Sequence, residues 1–136
     1  MIFSVKLLPL ILGAVFNMIL GMLWYSNVLF AKPWMKEAGV KMEDVQSSKD
    51  KMGSVYTLTT LFAFVTSYVL GLVITNFGIS NVWIAIVVGV LLWVGLSLPM
   101  VIKNWGFEGR SVKLGLINHG YELVVFVVVA VLYAVL

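Results

Sequence analysis

The residues best suited to chemistry are His119 and Glu122, which stand three positions apart in the last apolar segment with Asn118 and Tyr121 beside them. On a helix that spacing puts both side chains on neighbouring positions of one face. Glu122 is the only charged residue deep in that segment, and a carboxylate at membrane depth costs roughly 2–3 kcal/mol unless a partner or water relieves it. Such a group faces a bundle interior, so other segments must supply its surroundings. Two roles are open: handling a proton or cation, or a satisfied polar knot that fixes helix register at about 0.5–2 kcal/mol per hydrogen bond. Other chemistry lacks its parts. His119 is the sole histidine and cysteine is absent, and two ligands on one face make neither a tetrahedral nor an octahedral site. No metal and no cofactor is therefore expected. No nucleophile–base–orienter set and no glycine-rich phosphate loop is present either, so the chain reads as a non-enzyme.

The elements that must position this pair are membrane helices. Of 136 residues, 62% are hydrophobic and 11% charged. Residues 52–102 contain no Asp, Glu, Lys, Arg or His, a run long enough for two crossings at about 20 residues each. The expected fold is an all-α integral membrane protein, a single membrane domain over residues 1–136. Four transmembrane helices run at about 7–30, 53–75, 82–102 and 112–136 in an antiparallel bundle, with a cytoplasmic loop at 31–52. Lys6 before Leu7-Leu8-Pro9-Leu10 resembles a signal peptide, but the apolar run is too long for one and reads as a retained first span. Eight basic residues (Lys32, Lys36, Lys41, Lys49, Lys51, Lys103, Arg110 and Lys113) lie on one side and Lys6 alone on the other. The positive-inside rule then makes both termini extracytoplasmic. Basic residues clustered in the loops flanking apolar spans speak for topology and against a nucleic-acid partner.

Small residues mark the packing faces. Gly13, Asn17 and Gly21 share one stripe with Trp24, and Ser67-x-x-x-Gly71 and Ala85-x-x-x-Gly89 are small-x-x-x-small pairs. The short uncharged turn 76–81 predicts that spans two and three pack as a hairpin. Pro99 should bend span three and free a carbonyl near Gly95. These faces exceed what one small bundle needs, so a homo-oligomer in the lipid bilayer is expected. In the 31–52 loop, Pro33 can open and Gly39 close a short interfacial helix carrying Trp34. The mixed charges of 41–51 read as a surface linker, or else as a docking surface for a cytoplasmic protein partner.

Distance from the charged boundary places Trp24, Tyr25, Ser26, Thr60, Ser97, Asn118, His119 and Glu122 at one level. That level is roughly 8–14 Å inside the membrane at about 1.5 Å per residue. The functional expectation is a small multi-pass transporter or channel-like protein for a proton, ion or small amphiphile, working through this inner-leaflet polar pocket. The alternative is a non-catalytic membrane scaffold or regulatory protein acting through its cytoplasmic loop.

The run Gly21-Met22-Leu23-Trp24-Tyr25-Ser26-Asn27-Val28-Leu29-Phe30-Ala31-Lys32-Pro33-Trp34-Met35 resembles a family signature, with Asn27 where Pro is common and Ala31 where Gly is common. Phe107-Glu108-Gly109-Arg110-Ser111, followed by Leu116-Ile117-Asn118 and Gly120-Tyr121, resembles that family's approach to its last helix. The family is the small four-helix bacterial membrane proteins known as domain of unknown function 1761. The resemblance covers essentially the whole chain. It implies a multi-pass protein of the cell membrane (bacterial inner or plasma membrane) and implies no activity.

Overall fold

The structure, a computed structural model, describes residues 2–41, 43 and 49–136, with the side chains of Lys49 and Asp50 left out. Most of the mixed-charge segment in the 31–52 loop thus lies outside the described residues. Among the described residues six helices follow in order: α1 (Leu7–Trp24), α2 (Ala31–Ala38), α3 (Lys49–Asn76), α4 (Val82–Leu92), α5 (Leu98–Glu108) and α6 (Val112–Val135). One π turn, Trp93–Ser97, joins α4 to α5 without a break. Among the described residues four stretches are long and apolar enough to cross a membrane: Leu7–Trp24, Lys51–Asn76, Val82–Glu108 and Val112–Val135. Large apolar side chains such as Leu8, Ile19, Leu91 and Leu96 point outward, as they do where lipid rather than water is the solvent.

Local chemistry sets the ends. The Asn81 side chain caps α4 by accepting from Trp83 N and Ile84 N at 2.8 and 3.2 Å, and Ser111 caps α6 by accepting from Leu114 N at 3.0 Å. Gly39 closes α2 and Gly109 closes α5, at φ of 69° and 68°, the left-handed region where only glycine is unstrained. Two boundaries differ from expectation. The first span stops at Trp24 rather than Phe30, because Ser26 Oγ donates to Leu23 O at 2.6 Å while Phe30 N donates to Trp24 O at 3.0 Å. These bonds wind residues 25–30 into turns. The third span continues as helix to Glu108, so residues 103–108 form its last turns rather than a loop.

The bundle is organised around α6, which packs against α1, α3, α4 and α5. A buried apolar cluster (Leu70, Ile74, Ala85, Val125, Val129, Ala130 and Tyr133) joins α3, α4 and α6. The expected hairpin is a hairpin in sequence only: α3 packs on α1 and α6, α4 on α6, and no substantial α3–α4 interface forms. Glycines let these helices approach. A methyl group on Gly13 would lie 2.5 Å from Ser67 Oγ, and one on Gly89 would lie 2.9 Å from the Val127 backbone. One on Gly71 would run into the Tyr133 ring. The small-residue faces are therefore occupied within a single chain and no longer argue for self-association. Asn76 Nδ2 donates to Ile2 O at 2.8 Å and Tyr68 OH to Phe3 O at 2.7 Å. With Tyr133 against Gly71, both termini lie at the end of the bundle that carries Asn76.

Candidate functional site

Two turns into α6, side chains on three faces gather partners from the rest of the bundle. Ser97, the last residue of the π turn, donates its hydroxyl proton to Glu122 Oε2. Its lone pair then accepts from His119 Nδ1 at 2.9 Å, and the same imidazole nitrogen lies 3.1 Å from Glu122 Oε2. With the serine proton committed to the carboxylate, the imidazole is the donor at Nδ1. Trp93 Nε1 donates to His119 O at 2.6 Å, so the π turn grips α6 at both the backbone and the side chain of this residue. On the opposite side Trp24 Nε1 donates to Ile117 O at 2.8 Å, and Tyr25 OH to Asn118 Oδ1 at 2.9 Å. Tyr121 OH donates to Asn17, reaching the carbonyl at 2.7 Å and the side-chain amide. A methyl on Gly21 would lie 3.3 Å from that hydroxyl, so Gly21 gives Tyr121 its room against α1.

The structure thus brings Glu122, His119, Asn118, Tyr25, Trp24 and Ser97 into one polar layer on α6. Two expected members stay out of it. Thr60 Oγ1 donates back to Tyr56 O of its own helix at 2.8 Å, as Thr57 does to Gly53 O and Thr59 to Val55 O. Ser26 spends its hydroxyl on the turn that ends α1. Trp93 is a positioning residue that depth from the boundary did not single out. Asn17, placed by its spacing on the packing stripe of α1, accepts from Tyr121 across that contact. Ser67, Gly71, Ala85, Gly89 and Gly13 are helix contacts; Ser67 Oγ also donates to Leu10 O at 2.9 Å and lies 3.5 Å from Tyr133 OH.

The layer opens on a cleft because α3 is packed along only half its length. Ala63, Ser67, Leu70, Gly71 and Ile74 are buried against α1 and α6, whereas almost every residue from 53 to 62 is exposed. The gap left between α1, the free half of α3 and α6 holds two adjoining cavities. One, of about 440 Å³, is lined by Met18, Gly21, Met22, Tyr25, Val55 and Tyr56. The other, of about 300 Å³, is lined by Phe62, Ala63, Thr66, Glu122, Val125 and Phe126. Asn17, Thr59 and Tyr121 line both. The Glu122 side chain is 40% exposed and His119 17%. Both bonds to Glu122 fall on Oε2, so among the described residues Oε1 has no partner. No three His, Cys, Asp or Glu side chains converge among the described residues.

Among known proteins, a family described as "Protein of unknown function (DUF1761)" has a model that matches residues 8–134. No curated protein and no solved structure matches the chain.

Proposed function

Because the chain belongs to the DUF1761 family of proteins of unknown function, we propose its role from its own geometry: a small multi-pass transporter or channel-like protein. It takes a proton, cation or small amphiphile into the cleft beside Glu122. One observation carries this reading. A carboxylate set among apolar helices holds both its hydrogen bonds on one oxygen while it lines an open cavity of about 300 Å³. A carboxylate kept only to pin helices gains most when both oxygens are bonded, since an unpaired ionised oxygen away from water is costly. Ser97 and His119 fix the orientation of the group, and Oε1 is left to take a proton or a cation. The eight-to-one excess of basic residues on the loop side supports a cleft mouth at the cytoplasmic face of the cell membrane, with both termini outside. No step needs a covalent intermediate or cofactor, and the protein acts without catalysis.

The test is flux in proteoliposomes under an imposed voltage or pH gradient. Wild type should conduct, and Glu122→Gln should lose at least nine-tenths of the rate. Undiminished flux in that variant overturns the role of Glu122. An inert wild type, with a cellular phenotype lost on neutralising Lys32, Lys36 and Lys41, turns the reading toward a regulatory loop.

A further inference from the structure

On that transport reading, we infer that the cleft accepts a hydrophobic organic monocation, an amine or quaternary onium ion, rather than an inorganic ion. The cavity walls decide between the two. A bare inorganic cation must trade its water shell for several oxygen ligands. The larger cavity offers Met18, Met22 and Val55 instead, which ligate nothing hard. Three tyrosines, Tyr25, Tyr56 and Tyr121, line that same cavity. Tyr25 and Tyr121 have their hydroxyls tied to Asn118 and Asn17 and their ring centroids 6.1 Å apart. Their rings are thus held in place as a wall, while Tyr56 on the free half of α3 is 60% exposed. Aromatic faces attract a diffuse cation within about 6 Å, and apolar walls take its organic body.

Charge sets the sign of the guest. Among the described residues, Glu122 is the only acidic or basic side chain lining either cavity, and no Lys or Arg joins it. An anionic amphiphile would meet like charge, and a neutral one would leave the carboxylate uncompensated in an apolar setting. A monocation satisfies both requirements. Its charged centre lies between Glu122 and the tyrosine wall, where the two cavities meet at Asn17, Thr59 and Tyr121, and its apolar body extends along Met18 and Met22. An inorganic divalent cation finds there neither the carboxylates nor the ligand number it needs.

Equilibrium dialysis of the purified full-length chain in neutral detergent tests this, with labelled tetraphenylphosphonium and its isosteric anion tetraphenylborate as probes. Saturable binding is expected for tetraphenylphosphonium alone. Glu122→Gln should weaken it at least tenfold. Tyr56→Leu, at an exposed position where the fold is not at stake, should weaken it about two- to fivefold, the loss of one cation–π contact. Equal retention of the borate, or wild-type binding by both variants, overturns the inference. If the glutamine variant does not fold, the comparison of the two probes and the Tyr56 variant still decide. Flux separates this idea from the one it rests on. Proton or potassium flux that needs Glu122, without phosphonium binding, sinks the substrate class and leaves transport standing. Saturable, Glu122-dependent phosphonium binding without flux upholds the site and removes transport.

Discussion

Ser97 Oγ and His119 Nδ1 lie 2.9 Å apart, so the two groups that hold Glu122 Oε2 also hold each other. Removing the carboxylate therefore leaves neither of them orphaned. It also removes a membrane-level charge that costs roughly 2–3 kcal/mol. Glutamine fits the same space and still accepts from Ser97. Glu122→Gln is accordingly expected to be at least as stable as wild type, read as the midpoint of thermal unfolding in detergent at neutral pH. A much lower midpoint would make the carboxylate structural glue and turn attention from the cleft to the loop. The members of this layer were largely legible in the sequence, because depth is a one-dimensional quantity: counting residues from Lys32, Lys103 and Lys113 places Trp24, Tyr25, Ser97, Asn118, His119 and Glu122 at one level. How far a helix stands from its neighbours is not contained in that count. Thr60 has the right depth and shares the stripe of the buried Ser67, but it sits on the half of α3 that stands away from the bundle, and a hydroxyl with no neighbour is satisfied by the carbonyl one turn back. Apolar residues are spread evenly around α3, so no periodicity says which side faces α1.

Span three shows how an element can be tuned to a site. Ala85, Gly89, Trp93, Ser97 and Val101 recur every four residues, and each meets α6. Ala85 is fully buried, Gly89 abuts Val127, Trp93 and Ser97 bond His119, and Val101 fills the space a side chain on Gly115 would take. On a regular α-helix that stripe drifts by about 40° per step, roughly 160° from the first residue to the last. The π turn at Trp93–Ser97 absorbs one extra residue, which gives back roughly 100°. Pro99 follows at the start of α5; with no N–H to offer the carbonyl four residues earlier, it favours the wider turn over a regular one. The sequence marks the disturbance by Pro99 and marks the stripe by its small residues. It does not announce a π turn, since that form pays only when both halves of the stripe have a partner. Deleting Leu96, which is 71% exposed, should therefore do harm that Leu96→Ala does not. It restores a regular helix and swings either Val101 from Gly115 or Ser97 from Glu122. The expected outcome is a fall of several degrees in the unfolding midpoint for the deletion and little change for the alanine variant. Equal midpoints would mean that the stripe can re-register freely.

At the scale of the molecule, the chain's own small residues choose the neighbours, not its shortest turn. Ser67 and Gly71 of α3 fit Gly13 and Tyr133, and Ala85 and Gly89 of α4 fit α6, so the helices joined by the turn 77–81 part company. Pairing of this kind depends on which grooves match, and several matches look alike in a single sequence. The consequence for function is directional. The cleft lies in the half of the bundle near α2, away from the termini, because only the other half of α3 is packed. The cleft opens toward the end of the bundle on which Lys32, Lys36, Lys103 and Arg110 lie. The proposed orientation takes that end as cytoplasmic, from the eight-to-one bias of basic residues. The chain has no cysteine, so single cysteines report without background. Ser4→Cys and Val135→Cys should react with a membrane-impermeant maleimide in intact cells, whereas Lys36→Cys and Glu108→Cys should react only after permeabilisation. The reverse pattern would put the mouth of the cleft on the outer face, and the transport proposal would then take its cation from that side.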